Sequence, residues 1–393
     1  MISKLHIFHP GCEISLTNSV PNFHLPKLIR QFELDLEMLP LVTAMPDDAV
    51  LVAQNPSDFF LEYLSKIGFK SLKFISFNDI IKSSDSYLLE PWCKSPYLYE
   101  KLAKIPENIL LRDTPDFNLI FQMQSKANSA SFCKYLINKE PEYFIPIEKT
   151  AKILHTLEEI ITYINLEHHV VLKAPVSSSG RGNLIIRDGK IANYHIAWIN
   201  SFLDKQKIIV AEPLWNKKMD VAAEFFFHEN EISFVGFSFF ETNSNGFYKS
   251  NFLNFSQKNF QKLFPNIDLQ KWVELLKSEF PNHPIYKNHR GFLGVDAMVI
   301  EKKNMECILH PFVEVNARYT MGLIACYLEK YIHQSSVGKF LIYANEKKSF
   351  KSFSSEMSIS FPMEIKEKKA YKGFFPLSEP KETSVFGAYM LLS

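Results

Sequence analysis

Between residues 310 and 318 the chain reads His310-Pro311-Phe312-Val313-Glu314-Val315-Asn316-Ala317-Arg318, an alternation with a period of two. On a strand, Val313, Val315 and Ala317 point to one face and Glu314, Asn316 and Arg318 to the other. A carboxylate and an amide oxygen two residues apart suit a hard divalent cation. A guanidinium just beyond them can hold a phosphate oxygen through paired donors. The pattern marks a place where metal and phosphate meet, although an ordinary amphipathic strand with a polar outer face carries the same alternation.

A second stretch joins an apolar strand, with Lys173 near its end, to a Ser- and Gly-rich loop. Ser177, Ser178, Ser179, Gly180, Arg181 and Gly182 would present hydroxyls, backbone N–H groups and a guanidinium at one mouth, donors suited to phosphate oxygens. This is not the Walker arrangement, because the Lys precedes the loop and the loop joins two strands, with Asp188-Gly189 as a hairpin turn. A flexible surface hairpin is the plainer alternative. His168 and His169 invite a metal reading, but neighbours on a strand face opposite ways. Further acids sit on apolar strands: Glu212 ahead of Pro213-Leu214-Trp215, Asp220 ahead of a run to Phe227, and Asp296 within 291–300. Ser125-Lys126 precedes an apolar-periodic run, near a helix start, where a lone Lys is ordinarily a solvated charge.

The elements that must position these groups come in two styles. Strands at residues 4–8, 49–53 and 72–76 alternate with helices, one from Pro26 to Met38 and one capped by Ser57, which predicts a small α/β domain with a mostly parallel sheet. Its active edge lies beyond the strand carboxyl ends, where Gly11-Cys12-Glu13 falls. His9 and Glu13 could touch a substrate there, but turn and surface roles are the simpler expectation. Residues 90–146 are mainly helical, and Thr150 is expected to cap a helix from Ala151 to about Ile164. From residue 208 onward antiparallel hairpins take over, with helical patterns over 256–280, a hairpin at 301–305, and a helix capped by Thr320. The last sixty residues alternate short β-like and Lys-rich pieces.

With 393 residues, 46% hydrophobic and 22% charged, the chain is globular and long enough for two or three domains. A net charge of +1 gives no electrostatic case for nucleic acid or an anionic membrane. No apolar run approaches the roughly 18 residues of a spanning helix, and the N-terminus lacks a signal-peptide core. The five cysteines are scattered without metal-ligand spacing, which predicts free thiols and a cytoplasmic location.

From about Lys126 to Gly322 the order of these pieces resembles the ATP-grasp superfamily of nucleotide-dependent ligases. Members place a Lys at a helix start after an N-terminal α/β domain, then a Lys before a Gly-rich phosphate lid. A strand ending in Glu and a hinge follows, then a ribose-binding acid, an Asp on a strand, and a Glu-x-Asn pair with an Arg nearby. Lys126, Lys173, Ser177 to Gly182, Glu212 to Trp215, Asp220, Asp296, and Glu314 with Asn316 and Arg318 fill that order here. The resemblance implies an α/β (α+β) ATP-grasp fold. Residues 1–120 would form the N-terminal α/β domain, 121–215 a subdomain with the lid, and 216–335 a subdomain with the metal site. Residues 336–393 stay unassigned.

The resemblance also implies roles. Lys126, Lys173 and the lid would hold phosphates, Glu212, Pro213, Leu214 and Trp215 the adenine, and Asp220 the ribose. Asp296, Glu314 and Asn316 would hold one or two Mg2+, with Arg318 and Lys173 assisting transfer. The implied reaction is ATP-dependent joining of a small-molecule or peptide carboxylate to an amine through an acyl phosphate. A small-molecule kinase and a non-catalytic nucleotide-binding protein stay open as alternatives, as does a homodimer. The sequence departs from the family in its Ser-rich lid, in Trp215 at the end of the hinge, and in the long spacing from Asp296 to Glu314.

Overall fold

The computed structural model describes residues 2–18, 23–69, 73–102, 108–111, 114–177, 182–229 and 231–393. The chain folds into two units. One comprises Met1–Phe117, Ser250–Phe255 and Leu323–Ser393; the other comprises Asn118–Lys249 and Ser256–Gly322.

In the first unit β1 (Lys4–Ile7), β2 (Ala49–Leu51), β3 (Lys73–Ile75), β4 (Tyr87–Pro91) and β5 (Ile109–Leu110) form a parallel sheet in the order β3-β2-β1-β4-β5. Leu5, Ala49, Tyr87 and Leu89 form part of its core, as short strands covered on both faces must. The helix Asp58–Lys66 starts where its cap predicts, with Ser57 Oγ accepting the Phe60 N–H at 3.3 Å. Two expectations are corrected here. His9 and Glu13 are buried rather than surface groups; His9 sits between Glu33, at 2.6 Å, and Ser95, at 2.9 Å. Cys12 and Cys93 are not separate thiols: they are in disulfide contact, with Cα atoms 6.2 Å apart, because β1 and β4 are neighbours and both residues lie just past those strands.

In the second unit β6 (Lys152–Leu154), β7 (Val170–Lys173), β8 (Asn183–Ile186) and β9 (Ile209–Pro213) form an antiparallel sheet in the order β6-β9-β7-β8. The helix expected from Ala151 instead follows a strand. It spans Leu157–Glu167 and is capped by Thr156, whose side chain accepts from Glu159 while Glu159 reaches back to the cap. That reciprocal box outcompetes Thr150, whose hydroxyl donates to the Ile147 carbonyl. His168 ends this helix, and both it and His169 are exposed. The helix Asn193–Gln206, which the sequence reading passed over, packs Ile199 into the same core.

The unit's other sheet contains β10 (Lys217–Phe227) and β11 (Ile232–Thr242). The chain then enters the first unit within β12 (Tyr248–Leu253), and β13 (Gly291–Glu301) and β14 (Cys307–Asn316) complete the second unit's strands in the order β14-β13-β10-β11. The helix Leu269–Glu279 is fastened to β14 by Trp272, whose indole N–H donates to the Pro311 carbonyl at 2.9 Å.

Residues 336–393 supply β15 (Gly338–Ala344), β16 (Glu364–Lys366), β17 (Lys369–Pro376) and β18 (Phe386–Leu392) to the first unit, in the order β12-β15-β18-β17-β16. The helix Phe350–Ser360 lays Phe350 against Phe374 and Tyr389. Among the described residues no helix is long and apolar enough to cross a membrane.

Candidate functional site

Strand pairing in the second unit decides which side chains meet. Asp296 on β13 lies directly opposite Glu314 on β14, and Gly294 opposite Asn316; directly opposed residues share a face. On the other flank Asp296 pairs with Ala222 of β10, so Asp220 and Glu224 stand on that same face. The register of β13 on β14 shifts between Asp296 and Met298, the latter pairing with His310. This irregularity around Pro311-Phe312-Val313, with the hairpin between Glu301 and Cys307, absorbs the long spacing from Asp296 to Glu314.

Two like charges set opposite each other are unfavourable, and the surroundings record it. Burial pushes the Asp296 carboxyl well above its usual range, and Glu314, Glu224 and Asp220 push the same way against the pull of Arg318. Burial acts on Glu314 too, but Lys126, Lys173 and Arg318 outweigh it and hold that carboxyl below its usual value. Lys126 Nζ reaches Glu314 Oε2 at 2.9 Å, and Asn316 Nδ2 donates to Asp296 Oδ2 at 3.2 Å. Two carboxylates and an amide suit a hard cation such as Mg2+, which usually takes one or two protein carboxylates and completes its shell with phosphate oxygens and water. Among the described residues no group of three or more His, Cys, Asp or Glu is placed to hold a metal ion by itself.

The lysines arrive from the other sheet's side of the unit. Lys126 opens the helix Lys126–Lys139, and its backbone N–H donates to the Pro175 carbonyl at 2.8 Å. Its Nζ donates to the Ser177 carbonyl at 3.1 Å, so this residue is a buried, fully engaged ammonium rather than a solvated one. Lys173 ends β7 and lies 2.5 Å from Glu212 on β9, with 8% and 6% of the two side chains exposed. Ser177 folds over Gly182, where a Cβ would meet Ser177 Oγ at 2.3 Å. Ser178, Ser179, Gly180 and Arg181 lie outside the described residues.

Between the two sheets of this unit lies a cavity of about 410 Å³. Lys126, Lys173, Asp220, Asp296 and Glu314 line it, as does the hinge from Glu212 to Trp215. Asn316 and Arg318 are not on its wall, but Asn316 contacts Asp296 and the Arg318 guanidinium donates to the Tyr319 carbonyl at 3.1 Å. Asp220 is gripped by Lys217 at 2.5 Å and by the Thr242 hydroxyl at 3.1 Å. Burial nevertheless keeps its carboxyl above the usual range.

Several lining groups escaped the sequence reading. Asn183 and Arg187 on the β8 side are visible in hindsight as a period-two pattern, and Asn243-Ser244-Asn245-Gly246 is a turn signal that faces the cavity. Arg187 reaches the Ser244 carbonyl at 3.4 Å. His310 is buried in a small recess shared with Lys126, Lys173 and Glu212, and burial lowers its pKa to about 4. Glu224 is 1% exposed. Burial raises its pKa to about 7, against the Thr320 hydroxyl and Arg318.

No protein-family model and no curated protein matches the chain. Solved structures do. Biotin carboxylase from Campylobacter jejuni in a β-γ-ATP complex is 12% identical, with a TM-score of 0.52 over 99% of this chain and 87% of that one. N5-carboxyaminoimidazole synthase from Aspergillus clavatus, with ADP and 5-aminoimidazole ribonucleotide, is 12% identical, with a TM-score of 0.50 over 100% and 94%. The Staphylococcus aureus N5-carboxyaminoimidazole synthetase, complexed with ADP, gives 12% and 0.50 over 100% and 93%. At these identities the likeness is one of fold, and it bears out the ATP-grasp fold expected from the sequence.

Proposed function

We propose that the chain is an ATP- and magnesium-dependent ligase that joins a carboxylate to an amine or other nucleophile through an acyl phosphate, releasing ADP and phosphate. One observation carries this reading: the acids of one sheet and the lysines reaching in from the other side converge on a single cavity of about 410 Å³. The solved structures of the same fold hold ADP or an ATP analogue.

In this reading the Glu212–Trp215 hinge takes the adenine, Pro213 offering its carbonyl, and Asp220 takes the ribose hydroxyls. Lys126, Lys173 and the lid from Ser177 to Gly182, including Ser178, Ser179, Gly180 and Arg181, hold phosphate oxygens. Asp296, Glu314 and Asn316 would hold Mg2+, which supplies charge neutralisation at the polyphosphate. Arg318 steadies the phosphoryl group as it passes in line to the carboxylate, and the lid excludes water from the acyl phosphate. Positioning and charge stabilisation supply most of the help this chemistry needs.

The test is an ADP-release screen over pooled carboxylates and amines, with hydroxylamine added to trap an acyl phosphate as a hydroxamate. Glu314→Ala and Lys173→Ala should each lower turnover by roughly 10³-fold. Unchanged turnover in Glu314→Ala would refute the metal assignment, and ADP release with a stable phosphorylated alcohol and no hydroxamate would make the chain a kinase.

A further inference from the structure

One buried carboxyl on the face of the acid cluster has no part in the scheme above. Glu224 pairs across β13 with Gly294, which in turn pairs with Asn316, so it stands one step along the face from Asp296. Two glycines let the backbone approach it closely. A Cβ at Gly294 would come to 2.8 Å from its Oε2, and one at Gly322 to 2.4 Å from its Oε1. Burying a carboxyl is costly unless donors and a counter-charge surround it. Here the Thr320 hydroxyl donates to Oε1 at 2.7 Å, and the positive charge of Arg318 acts in the carboxylate's favour.

Both belong to the short segment that leaves β14. Asn316 begins it, the Arg318 N–H turns back to the Asn316 carbonyl at 2.9 Å, and Thr320 and Gly322 end it against the glutamate. An apolar residue at position 224 would fill the same cradle without holding either group. We propose that Glu224 is a positioning residue for Arg318: by accepting from Thr320, two residues beyond the arginine, it fixes the 316–320 segment so that Arg318 is aimed at the terminal phosphate of the bound nucleotide. This rests on the nucleotide reading of the cavity and adds to it the residue that sets the arginine.

The test compares the affinity of the full chain for Mg·ADP and for Mg·adenylyl imidodiphosphate, a non-hydrolysable triphosphate, by calorimetry. Wild type should prefer the triphosphate, and Arg318→Ala should erase about tenfold of that preference, the size of one charge-assisted contact. Thr320→Val, nearly isosteric, should lose about threefold or more, leave Mg·ADP binding within about twofold, and add nothing in the double variant with Arg318→Ala. Glu224→Gln should fall between wild type and Arg318→Ala. A purely structural role would weaken both nucleotides alike. A Thr320→Val variant that keeps the full triphosphate preference while Arg318→Ala loses it would overturn the proposal and leave the nucleotide reading standing. Wild type that binds neither nucleotide would overturn both.

Discussion

In the first unit one buried acid, Asp48, is surrounded by donors. Asp48 accepts from the His6 ring at 2.9 Å and from the backbone N–H groups of Lys4, at 2.9 Å, and Met45, at 3.0 Å. Glu33 holds His9 at 2.6 Å, and the other ring nitrogen of His9 meets Ser95. In the second unit Asp296 and Glu314 face one another across a strand pair, and the lysines and arginine that relieve Glu314 leave Asp296 unrelieved. Polar groups that satisfy each other serve the fold, as in the first cluster. Like charges held together at the wall of a cavity cost the fold something and make sense when a charged ligand completes them. Burial alone would not separate the two clusters; the sign of the neighbours does.

The sharpest way to break this contrast is at Lys173. It and Glu212 form a buried pair at 2.5 Å, so Lys173→Met strands a carboxylate inside the unit and should cost about 3–5 kcal/mol of stability. The double variant Lys173→Met with Glu212→Leu should regain most of that loss in a thermal melt. Its affinity for Mg·ADP should stay as poor as that of the single variant. If the double variant recovers nucleotide binding as well, the pair is structural and belongs with the clusters of the first unit.

Asp296 gives the next largest effect, and one of opposite sign for stability and activity. Because burial and the neighbouring acids disfavour its charged form, Asp296→Asn should raise the melting temperature measured in chelator. The same change should lower turnover about a hundredfold or more, since it removes one of two carboxylates from the cation-binding set. A variant that loses stability would place Asp296 among satisfied structural acids and remove it from the site.

How far the sequence carried differs between the two regions for a physical reason. In the second unit the alternation of Glu314 and Asn316 on one strand was legible because a strand's faces follow from period alone. The lysines, Glu212 and Asp220 were legible because each ends or opens an apolar run, and their order, with Asp296 inside its strand, carried the family resemblance. Glu224 was not, since it sits inside the buried stretch Val221–Phe227, and the partners that give it meaning, Gly294 and Thr320, are far off in the chain. In the first unit the alternating strands and helices were readable, but the burial of His9 and Glu13 was not. It depends on which strands become neighbours, and that brings Glu33 and Ser95 to one end of β1. At Thr150 and Thr156 two capping residues compete, and the glutamate three residues past Thr156 was the overlooked signal.

The smallest effect should come from the first unit, at Asp48, and it is confined to stability. Burial works against its carboxylate, but the His6 ring and the backbone N–H groups of Met45 and Lys4 more than offset that, and its pKa falls from 3.8 to about 2. A carboxyl whose folded pKa lies below its unfolded one stabilises the fold above the unfolded value, and the benefit is lost as pH falls through the folded value. The loss should therefore appear between pH of about 4 and about 2, and a shift of this size is worth about 2 kcal/mol at neutral pH. Asp48→Asn should remove most of it and flatten the acid limb of a urea-denaturation series over that window. Because Asp48 serves the fold alone, the same variant should bind Mg·ADP as wild type does. An Asp48→Asn chain with normal stability and altered nucleotide affinity would reverse the assignment of the two clusters.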